Sequence, residues 1–366
     1  MTLRSLDSRP IDVASRITAA AETLFPGYFA LVMATAAVSI ASYLLGHVLI
    51  ARLLVGLNWI FYLALWGLTL IRLARFRERL LEDLFDHQRA PGFFTLVAGT
   101  CVLATQTALV VGGTRIAGAL WWLGLSLWFL IMYAFFTAVT VRRQKPTLAR
   151  GINGAWLIAA VATQSIVVSR GAVDGLIAPP APIQLLCIAM FMIGSMLYLA
   201  IIPLIFYRLT FVRLASRDFS PPYWINMGAV AITTLAGATL MMRVGHWPVL
   251  NQISPFLPGF TLFFWAAATW WIPLLIALMV WRYVVRKEVP RYEPALWGMV
   301  FPLAMYTTAT FQLARATGFE FLFRIPQIFI FIALAAWLIA FAGLLHHLWS
   351  GLYEKAVETR REPRHI

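Results

Sequence analysis

"FPGYFALVMAT", residues 25–35, starts a long apolar run with a proline and a glycine. Nearly the same phrase returns as "APGFF" at 90–94. A looser form (Pro or Asn, two residues, then Phe or Trp) recurs as NGAW at 153–156, PPYW at 221–224 and PALW at 294–297. The closing aromatics Phe29, Phe94, Trp156, Trp224 and Trp297 are 65, 62, 68 and 73 residues apart. One such motif is a weak signal: proline suits the first turn of a helix, where its missing N–H is not needed, and aromatic rings anchor at membrane interfaces. Five at a near-constant period mark a repeated structural unit. Each interval holds an apolar run, a short loop, a second apolar run and a basic loop, which describes a helical hairpin repeated five times.

The chain of 366 residues is 61% hydrophobic and 12% charged, whereas soluble domains sit nearer half apolar and a quarter charged. Ten apolar segments approach the ~20 residues a helix needs to cross hydrocarbon: roughly 25–46, 51–73, 91–112, 116–141, 151–169, 184–207, 221–242, 252–281, 293–313 and 325–349. The expected fold is therefore an all-α integral membrane protein of ten transmembrane helices. A single transmembrane domain over 25–349 is flanked by a segment 1–24 and a tail 350–366. Within the first segment, Val13, Ile17, Ala20 and Leu24 follow a helical stripe that predicts a short interfacial helix. Cys101 and Cys187 fall inside apolar runs and read as buried packing thiols, with no disulfide or metal spacing.

The net charge of +14 is explained by topology. Arg52, Arg115, Arg170, Arg243, Arg315 and Arg324 fall in one set of loops; the other 23 of the 29 Lys and Arg fall in the alternate loops and both tails. The excess of basic residues marks the cytoplasmic side, so both termini are expected in the cytoplasm of a multi-pass protein of the cell (inner or plasma) membrane. The basic residues form no stripe or face, so no nucleic-acid partner is expected; the bilayer is the expected environment.

The odd-numbered segments carry most of the intramembrane polar side chains: Thr35; Thr100, Thr105 and Gln106; Thr163 and Gln164; Thr233; Thr307 and Thr308. Polar groups in a bilayer face protein or water. The odd helices are thus expected to form an inner ring and the even helices an outer ring. Two interiors satisfy this pattern: a central path lined by those side chains, or a solid core held by Thr and Gln hydrogen bonds. Aligned on the first aromatic, the inner helices present Met33, Ala98, Ala160, Gly228 and Phe301 four residues later. Seven residues later come Ala36, Cys101, Thr163, Ala231 and Ala304. Both positions lie on one helical face. Phe301 is the large ring at a level that is otherwise small or Met, and Pro302, which follows it, predicts a kink.

Chemistry narrows the function. All fifteen Asp and Glu fall in loops or tails. No His/Asp/Glu cluster suggests a metal or acid–base catalysis at depth, so neither a cofactor nor an enzyme activity is expected. Ion-coupled transporters usually keep a titratable group near the bilayer centre, and none is evident. A path lined by hydroxyls, amides and aromatic edges lacks the carboxylates that cations favour, and basic loops at its mouth concentrate anions. Small anions are the expected cargo.

Three stretches carry a resemblance. "FPGYFALVMAT" is similar to the opening pattern of the tellurite-resistance/C4-dicarboxylate transporter family, with Met33 and Thr35 matching and Ala34 replacing a glycine. "WGMVFPLAMYTTAT", 297–310, resembles that family's Phe-Pro signature through Phe301 and Pro302, and "NGAWLIAAVATQS", 153–165, resembles bacterial members. The family also contains the plant slow anion channels, the yeast malate permease and the sulfite exporter. The resemblance implies ten helices as five hairpins around a central pore, commonly a homotrimer. It also implies passive or weakly coupled passage of inorganic anions or C4-dicarboxylates, with Phe301 occluding the pore. The alternative within the family is a coupled exporter of dicarboxylate, sulfite or a tellurite-type oxyanion.

Overall fold

The computed structural model describes residues 13–174, 177–213, 215–290 and 292–361. The first twelve residues of the N-terminal segment and residues 362–366 of the C-terminal tail lie outside the described residues. The described residues form helices and no strand: α1 (Val13–Glu22), α2 (Ala30–Leu44), α3 (Val48–Arg75), α4 (Arg77–Phe85), α5 (Phe94–Gln106), α6 (Thr114–Val141), α7 (Leu148–Gly151), α8 (Ile158–Asp174), α9 (Ala181–Phe211), α10 (Ile225–Met241), α11 (Phe256–Val280), α12 (Trp297–Thr317) and α13 (Arg324–Arg361). The last helix runs past residue 350, into the stretch expected as a tail.

The repeated phrase has one local structure. Each copy forms a single 3-10 turn that feeds a helix: Pro26–Phe29 into α2, Ala90–Phe93 into α5, Gly154–Leu157 into α8, Pro221–Trp224 into α10 and Pro294–Leu296 into α12. Proline occupies the first or second position of four of these turns, where its fixed φ is already helical. In the third copy Asn153 takes over: its side-chain oxygen accepts from the Ala155 amide at 2.8 Å and caps the turn. The glycines explain the rest of the phrase. A Cβ on Gly92 would sit 2.7 Å from the Gly27 nitrogen, and one on Gly154 would collide with the Pro222 carbonyl oxygen. Neighbouring copies therefore touch backbone to backbone, which only glycine permits.

Nine helical segments are long and apolar enough to cross a membrane among the described residues. The tenth expected span is α12, which is helical but less apolar because Thr307, Thr308, Thr310, Gln312 and Arg315 occupy its second half. Burial divides the nine sharply. The segments containing α2, α5, α8 and α10 are 83, 83, 78 and 94% buried, against 33, 44, 44, 22 and 28% for those containing α3, α6, α9, α11 and α13. Most of α12 is buried as well. α2 packs on α5, α5 on α8, α8 on α10, α10 on α12, and α12 back on α2. Each of these helices also packs against the helix that follows it: α2 on α3, α5 on α6, α8 on α9, α10 on α11 and α12 on α13.

Candidate functional site

Two cavities are lined by the five buried helices and their leading turns. The near cavity, about 40 Å³, lies where the 3-10 turns converge; Gly27 and Ala30, Gly92 and Thr95, Ala155 and Ile158, Pro222 and Ile225, and Pro294 and Gly298 line it. The far cavity, about 70 Å³, is lined by the second halves of the same helices: Ala37 and Ile40, Val102 and Thr105, Val168 and Gly171, Ile232, Leu235 and Thr239, and Met305, Thr308 and Gln312. Each exceeds the roughly 10–15 Å³ that one water needs.

The register between the cavities is regular. On α12, Phe301 follows the near-cavity residue Gly298 by three positions and precedes the far-cavity residue Met305 by four, so all three share one helical face. Met33, Ala98 and Gly228 hold the same relation on α2, α5 and α10. On α8 the lining runs through Ile158 and Val168, so Val161 stands at this level, one residue beyond Ala160. In this copy Leu157, not Trp156, closes the 3-10 turn.

At this level everything is buried, and Phe301 is only 1% exposed. The level is asymmetric in size: one phenylalanine shares it with a methionine, an alanine, a valine and a glycine. Gly228 is also not an open notch. A Cβ there would lie 2.7 Å from Pro302 Cγ, so the proline ring fills the space a side chain on α10 would take. Pro302 has no N–H, which leaves the Gly298 carbonyl on the near-cavity lining without its usual helical donor. Phe301 and Pro302 thus both stand at the level between the cavities, and the proline ring packs against Gly228.

A family model described as SLAC1, voltage-dependent anion channel, matches residues 23–345. The chain belongs to this SLAC1 family. An "uncharacterized transporter" of Methanocaldococcus jannaschii is 24% identical over 308 residues, covering 81% of this chain and 85% of that protein. A second "uncharacterized transporter" of the same organism is 27% identical over 158 residues, 43% of this chain and 44% of its own length. An "uncharacterized membrane protein" of Mycobacterium tuberculosis is 40% identical over 152 residues, 42% of this chain and 77% of that protein. The family and its relatives carry the names of channels, transporters and membrane proteins, and this SLAC1-family chain is a membrane protein of that anion-transport class.

Several polar side chains of this SLAC1-family core bond to the less buried helices. Trp337 on α13 donates to Thr35 on α2 at 3.0 Å, and Trp128 on α6 donates to Thr163 on α8 at 2.8 Å. The Tyr62 and Thr100 hydroxyls meet at 3.0 Å, between α3 and α5. Asn58 on α3 donates both to Gln106 on α5 at 2.8 Å and to the Val32 carbonyl at 3.2 Å. Gln164 donates to the Phe191 carbonyl on α9 at 3.0 Å. Thr233 and Thr307, like Thr105 and Thr308, donate to the carbonyl four residues back. Of the polar residues singled out from the sequence, Thr105 and Thr308 line the far cavity; the others named here serve interhelical or intrahelical bonds.

The sequence pattern does not mark Asn58, Tyr62 or the indoles of Trp128 and Trp337 as partners, because single polar groups on mainly apolar helices give no periodic signal. Nor does it mark Arg243, which lines the far cavity just beyond α10. Its guanidinium Nη2 donates to the Gly171 carbonyl at 2.7 Å. Burial pulls its pKa down and the Asp174 carboxylate pushes it back up; a guanidinium stays charged at any physiological pH. On the opposite side of the molecule from this arginine, His87 lies in the loop before the second 3-10 turn. Its ring is 6.0 Å from Trp156, and burial, followed by the Arg142 charge, pulls its pKa below the usual histidine value.

Proposed function

We propose that the chain conducts small anions through a path that runs between α2, α5, α8, α10 and α12, from the near cavity past Phe301 to the far cavity. In this reading the helices are five hairpins, with α2, α5, α8, α10 and α12 as an inner ring around a central pore and their partners as an outer ring. The circuit of helix contacts and the split in burial support that arrangement. The single observation that carries the gate assignment is the register: Phe301 is the one large ring on the face that joins the two cavities. Phe301 occludes the path, and Pro302 beside it positions it. Met33, Ala98, Val161 and Gly228 form the rest of the constriction.

Anions fit better than cations. No carboxylate lines either cavity, and the charged residue on the far lining is an arginine. A conducting path rather than proton-coupled export is supported by the chemistry of the constriction, which holds no titratable side chain. Both termini are cytoplasmic in this reading, the near cavity opens inward, and the apolar outer helices face lipid or the neighbouring subunits of a homotrimer in the cell membrane.

The test is anion flux from liposomes holding wild type or Phe301→Ala. The variant is expected to raise chloride or nitrate flux at least tenfold. Equal flux from a correctly folded variant would remove Phe301 as the gate, and flux driven by a pH gradient at fixed anion gradient would replace the channel with a coupled exporter.

A further inference from the structure

The far cavity holds a charge that the path itself does not require. Arg243 is its charged lining residue. The nearest carboxylate is already engaged: Asp174 makes a two-pronged ion pair with Arg170, with Nε to Oδ2 at 2.6 Å and Nη2 to Oδ1 at 2.5 Å. Arg170 is anchored further by lying 4.8 Å over the Trp121 ring. Two guanidiniums therefore share one carboxylate, and the surplus positive charge belongs to Arg243.

Its donors are not used up. Nη2 is tied to the Gly171 carbonyl at 2.7 Å, which fixes the plane of the guanidinium, while Nε is buried and has no partner. A buried N–H of a charged group left unpaired is costly. Gln312 lines the same cavity, and its side-chain oxygen is likewise buried without a partner; oxygen and nitrogen of an amide are interchangeable by a half-turn. The threonine hydroxyls on this lining spend their protons on helix carbonyls. The lining residues with unspent hydrogen-bonding capacity are thus Arg243 and Gln312. One fixed cation and one amide, in a small cavity otherwise walled by apolar and threonine side chains, is a donor set for a compact anion.

We propose that the far cavity is an anion-holding site, with Arg243 and Gln312 as its ligating donors and a halide- or nitrate-sized monoanion as its occupant. The proposal rests on the pathway reading above and adds a station to it: the anion waits beside Arg243 on the far side of Phe301. One guanidinium on the lining balances one negative charge, which suits a monoanion better than a dicarboxylate.

Nitrate is the probe. Initial nitrate flux is measured against nitrate concentration on the far side, in liposomes holding Phe301→Ala alone or combined with Arg243→Gln, Arg243→Lys or Gln312→Leu. The half-saturating concentration is expected to rise about tenfold with Arg243→Gln and about threefold with Arg243→Lys, which keeps charge but loses the Nε donor. A second readout needs no transport: nitrate, at constant ionic strength with an impermeant sulfonate, should raise the thermal unfolding midpoint of the wild-type protein in detergent and not that of Arg243→Gln. Unchanged half-saturation and an unchanged nitrate-dependent midpoint in Arg243→Gln overturn the site. If losing the Gly171 tether prevents that variant from folding, Gln312→Leu takes its place, with the same two readouts deciding for or against the site. A nitrate-dependent midpoint without flux in any variant leaves the site standing and overturns the pathway.

Discussion

The entry turns of the buried helices and the exposed sides of α3, α6, α9, α11 and α13 differ in how they take a substitution. At the turns, neighbouring backbones touch, as at Gly92 against Gly27 and Gly154 against Pro222. On the outer helices, large side chains such as Leu130 and Ile339 stand 68 and 73% exposed. The segments containing α2, α5, α8 and α10 have mean hydropathies of 1.4–1.8, against 1.9–2.7 for the more exposed ones; packing differs far more. The difference teaches that in a bilayer apolar character says little about stability, because lipid replaces lost apolar contacts and only close packing and hydrogen bonds distinguish folded from separated helices.

Four substitutions press on that contrast. The largest effect is expected from Gly154→Ala, whose added carbon meets a backbone carbonyl that cannot step aside; destabilisation of about 3 kcal/mol follows from overpacking, read as loss of the folded peak or a lower unfolding midpoint in detergent. Asn58→Leu comes next. It strips Gln106 and the Val32 carbonyl of their shared donor, and a cost of about 1–2 kcal/mol is expected for bonds of this kind within a membrane. If Asn58→Leu were harmless, the polar residues of the buried helices would not act as glue.

A smaller, conditional effect is expected at His87. Its folded pKa is lowered, so the unfolded chain binds a proton more readily than the folded one. Its contribution is therefore constant above the ordinary histidine value near 6.5 and falls as pH drops below it. His87→Gln should flatten the loss of thermal stability between pH 7 and pH 5, and an unaltered slope would remove His87 as its source. The smallest effect belongs to Leu130→Ala on the exposed face of α6, where a change within about 0.5 kcal/mol is expected. A large loss there would mean that protein, as in a subunit interface, covers that face.

Much of the fold is legible in the sequence. The five phrases give the period, and all five become 3-10 turns at the start of a buried helix. The split between odd and even segments follows from their polar content, since Thr and Gln in a bilayer must be enclosed. The α12 segment reads less clearly as a span because the same enclosed polar residues dilute its hydropathy. Phe301 is found by alignment alone. The direction in which the threonines point is not legible. Thr163 faces Trp128 and Thr35 faces Trp337, whereas Thr105 and Thr308 face the far cavity, though all four sit on similar helices.

What the sequence determined by itself is the class, the repeat and the level of the bulky ring. These depend on residue type and spacing, which the period of a helix converts directly into position. The tertiary structure decided the facing of each buried helix, the one-residue shift that brings Val161 into the register of Phe301, and the arrival of Arg243 at the far cavity. The physical reason is burial on every side. A helix enclosed all round has no amphipathic stripe to reveal its orientation, so only its neighbours fix which side chains meet a partner and which meet open space.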